Sequence, residues 1–123
     1  MDTREKILPP RSLSQLLASG EWTLVAGFFD PLTEVQARRL AVLSQGRKLL
    51  AIVLESEDTL LAANARAALI AGLREVDAVI IAPPDDWRSL IPRRPGIEII
   101  EDEAGERARS AEFVQFVLRR QNA

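Results

Sequence analysis

The stretch Trp22-Thr23-Leu24-Val25-Ala26-Gly27-Phe28-Phe29-Asp30-Pro31-Leu32-Thr33 decides the fold. Its first six residues form a nearly continuous apolar run of strand length. A run without polar alternation suits a strand covered on both faces, as the strands of parallel sheets are. From residue 33 to residue 44 the period becomes helical. Val35, Leu40 and Leu43 are the apolar positions, Arg38 and Arg39 fall between them, and Gly46 supplies the exit.

The same strand-then-helix unit recurs along the chain. Lys48-Leu49-Leu50-Ala51-Ile52-Val53-Leu54 reads as a second buried strand, and the Ala- and Leu-rich residues 59–74 as a helix. Val76-Asp77-Ala78-Val79-Ile80-Ile81-Ala82 is a third strand, halted by Pro83-Pro84, and Ile97-Glu98-Ile99-Ile100 a fourth. Upstream, Ser12 is placed to cap a short helix with Gln15 in the capping-box position, Leu13, Leu16 and Leu17 as its stripe and Gly20 as its stop. Asp85 or Asp86 is placed to cap a short helix through Leu90, closed by Pro92. A last helix is expected over 105–120, with Phe113, Val114, Phe116, Val117 and Leu118 on its apolar face. This alternation predicts an α/β, Rossmann-like three-layer sandwich: a parallel sheet of about four or five strands with helices on both faces, joined by right-handed crossovers. A length of 123 residues fits one domain over 1–123, with only residues 1–4 and 121–123 expected to fray. Ligands of such folds bind beyond the carboxyl ends of the strands where the strand order reverses, so residues 27–36 are the leading candidate site.

Composition narrows the chemistry. Sixteen basic residues against 18 acidic ones, a formal charge of −2, supply no general electrostatic drive toward nucleic acid or an anionic membrane. No apolar run approaches the roughly 20 residues of a membrane helix, and the charged start Met1-Asp2-Thr3-Arg4-Glu5-Lys6 lacks a signal-peptide core, so a cytoplasmic location is the default expectation. The chain has no cysteine, hence no disulfide and no thiolate nucleophile, and no histidine. The second absence excludes histidine triads, histidine metal sites and phosphohistidine chemistry; carboxylate- or lysine-based catalysis stays open.

The segment Gly27-Phe28-Phe29-Asp30-Pro31-Leu32-Thr33-Glu34-Val35-Gln36 resembles the first-strand motif of cytidylyltransferase-like nucleotidyltransferases, Gly-x-Phe-Asp-x-Leu-His-x-Gly-His. Gly27, Phe29, Asp30 and Leu32 fit it. Lys6-Ile7-Leu8, followed by Ser12-Leu13-Ser14-Gln15-Leu16-Leu17, is similar to the lead-in of the adenylyltransferase domain of bifunctional heptose-phosphate kinase/adenylyltransferases. Residues 65–79, with Arg66 and the Val76-Asp77 pair, are similar to the helix and strand after that family's flexible loop. The resemblance spans about residues 6–81. It implies transfer of a nucleotidyl group from a nucleoside triphosphate to a phosphorylated sugar or alcohol, usually with Mg²⁺. The work would be positioning and stabilising negative charge at the α-phosphorus, with phosphate held at a helix N-terminus. It also implies Gly27, Phe29, Asp30, Arg66 and Ser110 as nucleotide or phosphate contacts, and a homodimer or an active relative as partner.

The chain departs from that pattern where the chemistry lies. Thr33 and Gln36 stand at the two histidine positions and Val35 at the second glycine. Neither replacement can become cationic, and loss of one such donor typically lowers a rate ~10²–10³-fold. The lysine-bearing loop is shortened to residues 55–65, and the Ser-Thr-Thr/Ser motif survives only as Arg109-Ser110-Ala111-Glu112. The expectation is therefore a catalytically degenerate nucleotidyltransferase-like domain that binds or oligomerises. The alternatives are a divergent transferase using Thr33, Gln36, Arg66 and a metal, and a simple nucleotide or phosphosugar binder. No metal ligand set is assigned: Asp102, Glu103 and Glu106 read as a charged loop and helix start. Asp30 caps backbone donors or polarises a ligand hydroxyl. Arg66 is a phosphate contact or an exposed helix arginine. Arg88, Arg93 and Arg94, beside Asp85 and Asp86, read as an ion-paired surface or an anion site, and Trp87 as a core residue or a partner anchor.

Overall fold

Three strands are buried along almost their whole length because apolar side chains alternate onto two separate cores. In the computed structural model, which describes residues 2–30, 32–44 and 46–101, the strands are β1 (Ile7–Leu8), β2 (Trp22–Gly27), β3 (Lys48–Leu54), β4 (Ala78–Ala82) and β5 (Ile97–Glu101). They form one sheet in the order β1-β4-β3-β2-β5, and every pairing is parallel. Trp22, Leu24, Ala26 and Phe28 point to one face with Leu50, Ile52, Leu54, Ala78, Ile80 and Ala82. Val25 and Phe29 point to the other with Leu49, Ala51, Val53 and Val79.

The helices cover both faces, as expected. Helix α1 (Leu13–Leu16) and the 3-10 turn Trp87–Leu90 lie on the first face, contributing Leu13, Leu17, Trp87 and Ile91. Helices α2 (Glu34–Ser44) and α3 (Ala63–Ala71) lie on the second, contributing Leu40, Ala67, Ile70 and Ala71. Trp87 is thus a core residue, with Arg88 stacked 4.6 Å from its ring centre. Among the described residues, two buried polar atoms, Thr23 Oγ1 and Trp87 Nε1, have no hydrogen-bond partner. Among the described residues, no helix is long and apolar enough to cross a membrane.

Several expected boundaries move, each for a local reason. β1 is an addition: two residues carry no periodicity, and pairing with Val79 and Ile80 of β4 defines it. Ser12 makes no capping bond, because the preceding 3-10 turn Pro10–Ser12 has already brought it to helical angles (φ −79°, ψ −11°). Asp86 likewise makes no side-chain cap before the turn at Trp87–Leu90. The helix expected over 59–74 shortens to Ala63–Ala71, and the strand expected from Val76 starts at Ala78. There Asp77 N–H bonds Leu49 C=O at 2.9 Å while its carboxylate accepts from Leu49 N–H at 2.8 Å. Of the apolar positions in the helical pattern, Val35 is 76% exposed and Leu40 is the buried residue of α2. The residues expected to fray, 1–4, overlap the 3-10 turn Thr3–Lys6, capped by the Asp2 carboxylate on Arg4 N–H. Gly20 and Gly46, the expected stops, have φ of +84° and +76°. The expected 105–120 helix, the acidic residues 102–106 and Ser110 lie outside the described residues.

Candidate functional site

Strand order reverses at β2. The chain moves from β2 to β3 to β4 on one side and returns to place β5 on the other. The carboxyl end of β2, with its neighbours, is therefore where this architecture puts a ligand, and residues 27–36 lie there. Gly27 ends β2, buried and paired with Val53. The unusual backbone is at Phe29, whose φ is +51° while its ring is 1% exposed in the second core. A bulky residue in this region costs of order 1–3 kcal/mol, so the surrounding packing must hold it there.

Past Phe29 the chain turns toward the β3–α3 loop. Asp30 Oδ1 accepts from Leu61 N–H at 2.9 Å and Oδ2 accepts from Leu60 N–H. Asp30 thus satisfies backbone donors, in a loop some thirty residues away in sequence. Leu60 and Leu61 lie in the loop that leads into α3.

Thr33 and Gln36 close on each other. Gln36 N–H donates to Thr33 Oγ1 at 3.2 Å, Thr33 N–H donates to Gln36 Oε1 at 3.1 Å, and Thr33 C=O accepts the first helical bond from Ala37 N–H at 2.9 Å. This is a reciprocal capping box. The recess beside Gln36, walled by Val25, Phe29, Arg39, Leu40 and Leu43, has a volume of about 10 Å³, scarcely room for one water.

Arg66 is not the exposed helix arginine that the sequence allowed. It is 1% exposed. Its Nη1 donates to Phe28 C=O at 2.7 Å and Leu54 C=O at 2.8 Å, and its Nε donates to Leu61 C=O at 3.0 Å. One guanidinium thereby ties the carboxyl ends of β2 and β3 to the loop before α3. It also forms the floor of a shallow, open cleft of about 380 Å³, lined by Glu55, Ser56, Glu57, Thr59, Ala62 and Ala63. Two carboxylates in that lining oppose a polyanionic ligand.

On the other flank of β2, Glu101 ends β5 opposite Ala26 and pairs with Arg88. The Arg88 hydrogen bond holds the Glu101 carboxyl below the usual glutamate range, against a smaller opposing effect of burial. The expected arginine cluster is divided. Arg88 pairs with Glu101, whereas Arg94 donates to the Leu17, Gly20 and Pro95 carbonyls, locking the turn before β5 to the end of α1. Among the described residues no group of three or more carboxylates gathers as a metal site.

Sequence reasoning missed the burial of Arg66 and the Thr33–Gln36 box. The first had no local signal. The second did, since Thr-x-x-Gln ahead of an apolar period is the same pattern that was read at Ser12 and Gln15. No protein-family model matches the chain. Nor does any curated protein.

Proposed function

We propose that this chain is a nucleotidyltransferase-like domain that acts by binding and does not transfer nucleotidyl groups. The observation that carries this reading is the capping box. The two side chains at the degenerate catalytic positions each accept a hydrogen bond from the other residue's backbone N–H at the start of α2. Asp30 and Arg66 support it, since each is engaged with backbone. The acidic lining of the adjacent cleft adds repulsion for a triphosphate. Removal of two charge-stabilising donors, at ~10²–10³ in rate for each, leaves little of a transferase's acceleration.

Purified chain incubated with ATP or CTP, Mg²⁺ and glycerol phosphate or a heptose phosphate should release no pyrophosphate above background. The same nucleotides should not raise its melting temperature, because only a ligand that prefers the folded state does so. Metal-dependent release that disappears in Thr33→Ala and Gln36→Ala would instead establish the divergent transferase. A nucleotide-dependent rise in melting temperature without release would establish the simple binder.

A further inference from the structure

Hydrogen bonds bracket the left-handed Phe29 on both sides. Rotation about its φ turns everything after the Phe29 Cα relative to the Phe28 carbonyl. On the upstream side that carbonyl accepts from Arg66 Nη1 at 2.7 Å. On the downstream side the Asp30 carboxylate accepts from Leu60 and Leu61 N–H. Leu61 closes the ring, because its own C=O accepts from Arg66 Nε at 3.0 Å. The φ of +51° is therefore held at both ends, and both ends converge on Leu61 in the β3–α3 loop.

That loop is the weaker partner. Glu55, Glu57, Asp58 and Leu60 are exposed, and among the described residues none from 55 to 62 belongs to either core. Segments with few buried apolar contacts open at a small fraction of the global unfolding free energy. A strained backbone, in turn, persists only while its surroundings over-determine it.

We propose that the β3–α3 loop is a latch on Phe29. Docked, with Leu60 and Leu61 on Asp30, it holds Phe29 left-handed; undocked, it lets Phe29 relax to negative φ. Strain opposes docking while two charge-assisted bonds favour it, so the two states lie close enough in free energy to exchange. The Phe29 ring also walls the recess of about 10 Å³ beside Val25, Leu40 and Leu43 at the carboxyl end of β2. Docking of the loop and closure of that recess are thus one equilibrium, and the coupling runs equally in both directions. The latch stands apart from nucleotidyl transfer and does not depend on the binding reading above.

Nuclear magnetic resonance of the full chain reads both ends of the latch. A left-handed residue brings its N–H close to its own Hα and gives a strong cross-peak between them, which weakens at negative φ. The parent chain should show that strong cross-peak at Phe29, together with slowed deuterium exchange at Leu60 N–H, although Leu60 is 81% exposed. Asp30→Ala should weaken the Phe29 cross-peak and speed exchange of the Leu60 and Leu61 amides by about tenfold or more. Leu60→Pro removes one donor from an exposed loop position and should weaken the same Phe29 cross-peak from thirty-one residues away in sequence. If neither variant folds, relaxation dispersion on the parent chain decides, with Phe29, Leu60 and Leu61 exchanging at one shared rate. A Phe29 that stays left-handed in either folded variant, held by ring packing alone, overturns the proposal. So do parent Leu60 and Leu61 amides that exchange as fast as those of Asp30→Ala, or unlinked rates in the dispersion measurement.

Discussion

Thr33 and Gln36 were legible as donors that cannot take a positive charge; what the residue names left open was where their hydrogen bonds go. With the box formed, Thr33→Ala should cost about 1 kcal/mol of stability, as loss of an N-cap does. Calorimetry would read this as a fall of several degrees in melting temperature, with no change in the pyrophosphate assay. Arg66→Met should cost more, roughly 2–4 kcal/mol in chemical denaturation, because it strips the donor from the Phe28, Leu54 and Leu61 carbonyls together. Arg66→Lys should recover only part of this, since an ammonium lacks the planar fork that spans two strand ends. Thr23→Val tests the opposite case. The Thr23 hydroxyl is buried without a partner among the described residues, so a methyl in its place should leave stability unchanged or raise it by about 1 kcal/mol in urea titration. The Thr33 environment is written in the local Thr-x-x-Gln pattern, whereas those of Arg66 and Thr23 are not encoded within the few residues around the side chain.

At the scale of elements, the central strands were readable and the ends were not. β2 and β3 match their expected spans because each is an uninterrupted apolar run bounded by polar residues or turns. α3 is shorter than its Ala- and Leu-rich stretch implies: Leu60 and Leu61 lie in the loop before it, their N–H groups bonded to a carboxylate from the β2–α2 turn. Propensity has no knowledge of such a contact. β5 illustrates a charge effect at this scale. Its terminal Glu101 has a lowered native pKa, mainly through the Arg88 hydrogen bond. The stabilisation is therefore present above the ordinary value of 4.5 and is lost as pH falls through the lowered native value. Glu101→Gln should destabilise slightly at neutral pH and flatten the acid limb of stability against pH below about 5. The effect should be small and weaken in high salt, because both partners are substantially exposed.

For the whole molecule, the buried central strands predict a gradient of local stability. Backbone amides of β2, β3 and β4 should be the slowest to exchange with deuterium, and those of β1 and the helical turns at Trp87–Leu90 the fastest among the paired or turned segments. Equal protection across all five strands would contradict the two-core arrangement. The sequence alone determined the layered parallel α/β class, because strand-length apolar runs separated by helical periods permit few other ways of burying both faces. It also determined that no histidine or cysteine chemistry operates in the chain. Only the tertiary structure decided that Arg66 is interior and that Asp30 caps a distant loop. The physical reason is range: apolar periodicity is written into neighbouring residues, whereas a polar side chain's partner is fixed by which strand ends the sheet brings together.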